Sequence, residues 1–161
     1  MVSGTHAFRL TALAAAIVVA FYAAVSATAQ PIRDRVLSDV RVTEQADCSI
    51  VRVGLNFPIR YVSHFPLAFG DELRIRLRPI EIPRVDLNAL IRRESLRAPA
   101  SERAAIEQIT YEGDVVAGPT LTLFFRHAVA FKVGQGADFR SLVIAIAGPT
   151  PSDTCRPELA D

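Results

Sequence analysis

The sequence predicts a mainly β fold: a two-sheet sandwich built from two similar three-strand units, with a short helical insertion between them. Three observations carry this. Apolar and polar residues alternate with a period of two in several runs, the pattern of a strand with one buried and one wet face. A stretch of that pattern occurs twice, at residues 51–79 and 121–149. Pro and Gly clusters separate the runs.

Taking the elements in order, Val40 and Val42 alternate with Arg41 and Thr43 and predict an extended segment, followed by a turn at Gln45, Ala46 and Asp47. In the first copy Val51, Val53, Leu55 and Phe57 fall on one face, and Pro58 ends that strand because it cannot donate to a ladder. Ile59 and Tyr61 resume the inward face. A loop at His64, Phe65 and Pro66 and a turn at Gly70 and Asp71 lead to a third strand with Leu73, Ile75 and Leu77 inward. In the second copy Leu121, Leu123 and Phe125, then Val129, Phe131 and Val133, then Leu142, Ile144 and Ile146 take the inward places. Aligning the copies requires two extra residues before Val129. The outward residues of the last strand differ: Arg74 and Arg76 in one copy, Val143 and Ala145 in the other. A strand apolar on both faces is central or covered, so the second copy is expected to lie deeper, under the helical connection.

Residues 80–118 form the insertion. Asp86 is placed to cap a helix reaching Leu96, and Ser101 to cap a second one reaching Gln108, with Glu102 near its positive end. Ile109, Thr110, Tyr111 and Glu112 then read as a strand ended by Gly113 and Asp114.

The ends of the chain point to export. A short head with one charge, Arg9, precedes an apolar run from Leu10 to Val25, and Ala27 and Ala29 stand at the spacing of a signal-peptidase site. Residues 1–29 therefore read as a signal peptide cleaved between Ala29 and Gln30; the alternative is a retained anchor, since the run approaches the ~20 residues that span a bilayer. Residues 30–47 are a lead-in with its strand, residues 48–155 a single domain, and residues 156–161 a tail. In an exported protein the cysteine pair Cys48 and Cys155 reads as a disulfide bracketing the domain. Closing a loop of about a hundred residues would stabilise by ~4–5 kcal/mol in the chain-entropy model.

Charge narrows the function classes. The chain carries 18 basic and 17 acidic side chains. Loss of Arg9 with the leader leaves the signs balanced, which argues against electrostatically driven nucleic-acid binding. Past the leader only Lys132 is lysine.

Paired three-strand units of the form V-x-V-x-L-x-F, a break, a strand with an aromatic, a loop and L-x-I-x-L resemble the AMIN domain over roughly residues 48–148. That family occurs in periplasmic amidases and secretin-type pilus proteins. The resemblance implies a two-sheet sandwich with internal pseudo-symmetry and a non-catalytic role in binding cell wall or partner proteins. Two departures stand against the pattern: the family often closes its last strand with aspartate, whereas these strands end in Arg78-Pro79 and Ala147-Gly148, and the insertion is long.

The candidate binding residues are Arg74, Arg76 and Arg78, projecting from one face of one strand, with Arg60 on the neighbouring strand. Guanidinium pairs bidentately with carboxylate and phosphate, so the row suits a wall polymer, lipid headgroups or an acidic envelope protein. Equally, such a row is an ordinary solvated face that discourages edge pairing. No metal or cofactor is expected: His64 and His127 have no acidic residue at motif spacing, and the cysteines are not in a C-x-x-C. There is no G-x-S-x-G, and Gly134-Gln135-Gly136 joins two strands and opens no helix, so it reads as a hairpin loop. Asp71 and Asp138 read as turn residues. The expectation is an exported, non-catalytic binding module of the cell envelope; the alternatives are a small periplasmic enzyme with a loop-built site, or a membrane-anchored structural subunit of an envelope assembly.

Overall fold

The computed structural model describes residues 35–45, 47–80 and 87–147. The leader, the cap Asp86, Cys155, the closing Pro149 and the tail lie outside the described residues, as therefore does the bridge expected between Cys48 and Cys155.

The chain is mainly β, in the order β1 (Leu37–Glu44), β2 (Cys48–Leu55), β3 (Ile59–Phe65), β4 (Phe69–Pro79), α1 (Leu87–Leu90), β5 (Arg93–Leu96), β6 (Ile106–Glu112), β7 (Thr120–Gln135) and β8 (Ser141–Ala147). All pairings are antiparallel. One path runs β1-β2-β8-β7-β4-β3, and β6 pairs with β7 and carries β5 at its other edge. The predicted inward residues form the core: Val51, Val53 and Leu55 of β2, Leu73, Ile75 and Leu77 of β4, Leu121, Leu123 and Phe125 of β7, and Leu142, Ile144 and Ile146 of β8 are all buried. Burying each side chain of this size contributes about 1.5–3 kcal/mol, and alternation puts them all on one side of their strands.

The two copies exchange strands. β2, the first strand of one, pairs with β8, the last of the other, while β4 pairs with the first part of β7. Each copy also folds its middle strand back on its own last strand: Tyr61 faces Leu77 in the β3–β4 hairpin, and Phe131 faces Ile146 in the β7–β8 hairpin. Those two pairs are equivalent in the aligned copies. β1 flanks β2 as β6 flanks β7.

Four expectations need correction. Where two strands are predicted in the second copy there is one, β7, because no proline stands where Pro58 breaks the first copy. The extra residues are absorbed as an irregularity in β7: Phe124 faces Glu72 and Val129 faces Gly70, five steps along β7 against two along β4. Beyond it the strand has left β6, stays with β4 through Ala130, and pairs with β8 from Phe131 on. Phe125 and Phe131 stack across this corner with ring centroids 6.0 Å apart.

The predicted helices of the insertion shrink to α1 and one turn. Arg93–Leu96 is strand β5, paired with β6. Within it Glu94 accepts hydrogen bonds from the N–H groups of Val36 (2.8 Å) and Leu37 (3.1 Å), fastening the insertion to β1. Ser101 does start a turn, its Oγ accepting from the Ala104 N–H at 2.9 Å, but Ala105 adopts φ 51° and the chain enters β6. Short helices are marginal alone, and pairing with β7 buries Ile106, Ile109 and Tyr111 instead.

β8 is indeed buried from Ser141 to Ile146, but because it is central between β2 and β7. The insertion joins the sheet beside β7 as β6 and β5. On the outer face Arg52 stands opposite Val143 and Lys132 opposite Ala145, long stems over small residues. The turn expected at Gly70 and Asp71 is replaced by a register shift within β4; the chain reverses at residues 66–68 instead.

Candidate binding face

In β4 the alternation that buries Leu73, Ile75 and Leu77 turns Arg74, Arg76 and Arg78 to solvent. Neighbours across a ladder share a face, so register decides what stands beside them. Arg60 of β3 faces Arg78, Ser63 faces Arg76 and Phe65 faces Arg74. All four predicted arginines therefore lie together on the outer face of the β3–β4 hairpin.

Their charges are not equally spent. Arg74 Nε lies 2.5 Å from Glu72 Oε1, and the hydrogen bond and charge of Glu72, with a smaller contribution from Glu112, hold its guanidinium above the usual arginine value. Arg60, Arg76 and Arg78 make no ion pair or side-chain hydrogen bond among the described residues. Like charges directly opposite on a ladder repel, so this end of the face holds a concentrated positive potential.

Beside the row the registers line up polar residues that the sequence did not reveal, two of them, Thr122 and Thr110, buried. Across the sheet Arg74 faces Thr122, Thr122 faces Thr110, and Thr110 faces Ser95. A parallel line runs from Arg76 through Thr120 and Glu112 to Arg93, with Arg93 Nη2 3.3 Å from Glu112 Oε1. Strands spaced ~4.8 Å apart make the line from Phe65 to Ser95 about 19 Å long. Ser95 Oγ and Thr110 Oγ1 are 3.1 Å apart, and Gln108 Nε2 donates to Ser95 Oγ at 3.0 Å. The only sequence signal was a pair of threonines, Thr120 and Thr122, at alternate positions of an otherwise apolar run; their partners depend on register between strands far apart in the chain.

At the turn of the hairpin Phe65, Leu67 and Phe69 are 74%, 78% and 63% exposed. His64 pins this turn. Its Nε2 lies 2.9 Å from the Leu67 carbonyl oxygen, so Nε2 donates there, and Nδ1 then accepts from the Tyr61 hydroxyl at 2.5 Å. Burial pushes the Tyr61 phenol up. His127 is exposed, and among the described residues no group of three or more His, Cys, Asp or Glu side chains converges. Among the described residues, too, no helix is long and apolar enough to cross a membrane.

Gly134 and Gln135, expected in a hairpin loop, instead end β7 opposite Val143 and Leu142; the chain turns just after them, with Gly136 N–H donating to Ser141 O at 2.9 Å. Asp138 accepts there from Arg140 N–H (3.0 Å) and Ser141 Oγ (2.8 Å). Partial burial pushes its carboxyl up, but those hydrogen bonds and the charge of Arg52 outweigh it and hold it below its usual value. No family model, curated protein or solved structure matches the chain.

Proposed function

We propose that this chain is an exported, non-catalytic binding module of the bacterial cell envelope, similar to the AMIN domain, whose arginine-lined face holds an acidic cell-wall polymer or an acidic envelope protein. The observation that carries this is the row Arg60, Arg76 and Arg78, exposed on one face without carboxylate partners among the described residues. Guanidinium groups in a row suit an extended chain that bears carboxylates at intervals.

The reading of the fold as a two-sheet sandwich with internal pseudo-symmetry is supported by the reciprocal exchange of β2 and β8 with β7 and β4, and by the passage of β7 from one set of strands to the other. The leader is removed and Cys48 is bridged to Cys155; intact mass before and after thiol blocking tests both at once, and a free thiol or a retained leader would exclude the respective claim.

The test of binding is co-sedimentation with purified peptidoglycan. Wild-type chain is expected in the pellet, and Arg76→Glu with Arg78→Glu is expected to move it to the supernatant. Equal partition of wild type and variant would refute the reading. A second reading, docking of the β3–β4 turn into an assembly partner, is favoured by the exposure of Phe65, Leu67 and Phe69. It predicts that Leu67→Asp abolishes capture of the partner from native envelope extracts while leaving peptidoglycan binding intact; capture unaffected by Leu67→Asp would exclude it.

A further inference from the structure

At the Ser95 end of the line that starts at Arg74, the β5 and β6 strands and the segment joining them border an open hollow of about 660 Å³, within the range of small-molecule sites. Its lining mixes apolar Leu96 and Ile106 with polar Ser95 and Gln108, and includes Arg97 and Arg126. Glu107 is the acid in the lining, so two guanidinium groups face one carboxylate and the hollow is net positive.

Two backbone irregularities converge on this place. Arg126 lies within the stretch of β7 that departs from its register with β4, between Phe124 and Val129. Its N–H donates to the carbonyl of Ala105, the residue held at φ 51°. An extra length in one strand re-aims a side chain, and a non-glycine residue in left-handed conformation costs of order 1–3 kcal/mol. Here the two together deliver one guanidinium to the hollow. Arg126 Nη2 also donates to Ser101 O at 2.9 Å, which fixes the orientation of the group while leaving its remaining donors for a ligand. Arg97 makes no ion pair or side-chain hydrogen bond among the described residues. Gln108 is oriented by its bonds to Ser95 Oγ and, at 3.3 Å, to Thr110 Oγ1.

We propose that this hollow is a binding subsite for a carboxylate-bearing ligand the size of one sugar acid or a dipeptide. Arg97 and Arg126 take the carboxylate, Gln108 and Ser95 take its polar groups, and Leu96 and Ile106 receive its apolar part. The site is separate from the arginine row and stands or falls without it.

The test is calorimetric titration of the full chain, at low salt, with N-acetylmuramic acid and with N-acetyl-alanyl-alanine, using N-acetylglucosamine as the neutral control. At least one carboxylate probe is expected to bind, and which one does identifies the source of the carboxylate. Arg97→Gln is expected to weaken it by about tenfold or more, since a charge-assisted bond is lost, and Arg126→Lys to weaken it as well because the fork is gone. Arg76→Glu with Arg78→Glu should leave this binding unchanged while abolishing co-sedimentation, so failure here and failure of the wall-binding reading are separable. Arg97 holds up no other described residue, so its variant is expected to melt with the wild type. No binding of either carboxylate, equal binding of the neutral sugar, or full affinity in Arg97→Gln would overturn the proposal.

Discussion

Arg60 and Arg78 stand directly opposite one another on β3 and β4, and neither has an ion-pair partner among the described residues. A folded chain keeps such a like-charge pair at a small cost, up to about 1 kcal/mol for a directly opposed pair.

This gives a prediction with two opposite signs. Arg60→Glu replaces repulsion with attraction across the ladder and should raise stability by a few tenths of a kcal/mol, since exposed pairs contribute little. The same change should weaken sedimentation with peptidoglycan. Thermal melting and the sedimentation assay together check it; a variant that gains stability and keeps full binding would show that Arg60 takes no part in the face.

Glu94 accepts from two backbone N–H groups, those of Val36 and Leu37, which are themselves buried. Removing the acceptor leaves both donors unsatisfied. Glu94→Ala is therefore expected to lower the unfolding free energy by about 2–4 kcal/mol, with Glu94→Gln costing less because the amide oxygen still accepts. Urea unfolding measures both, and a loss below about 0.5 kcal/mol for Glu94→Ala would contradict the assignment.

Glu44 ties the same insertion to β2. Ser101 Oγ donates to its Oε1 at 2.5 Å and Ser49 Oγ to its Oε2 at 2.7 Å, with Arg103 Nη1 at 3.4 Å. The Ser101 and Ser49 hydroxyls, followed by the charge of Arg103, hold its carboxyl below the ordinary 4.5 despite some burial. A carboxyl with a depressed folded value stabilises fully above its unfolded value and loses that contribution as pH falls through the folded one. Glu44→Gln should thus melt below wild type at pH 7, and the two curves should converge as pH drops below 4.5. Melting temperatures that stay equally separated down to pH 2.5 would show that ionisation of Glu44 is not what holds the insertion.

Much of this was legible in local pattern. Leu73, Ile75 and Leu77 against Arg74, Arg76 and Arg78 can be read from a period of two, and the buried face follows directly. Asp138 reads as a turn residue because its side chain bonds its own backbone neighbourhood. What could not be read is set by distant pairing. Arg93–Leu96 has no strong strand signal of its own; it becomes β5 because β6 offers an edge and the Val36 and Leu37 N–H groups need Glu94. The line from Arg74 through Thr122 and Thr110 to Ser95 exists only once three registers are fixed, and no spacing in the chain encodes them. The hollow is similar: Arg126 is one more charge in the sequence until the irregular part of β7 aims it.

The reciprocal exchange between β2 and β8, and between β4 and β7, also governs how this chain must be made. As synthesis proceeds, β2 waits with one edge open until β8 has emerged, and β4 waits for β7. Neither half can finish before the other, so folding is tied to contacts of long sequence separation and is correspondingly slow. During that wait the bare edges invite pairing with a neighbouring chain. A cut between α1 and β5 would leave two fragments, each lacking the strand the other supplies, and mixing them should restore one molecule where either alone would not.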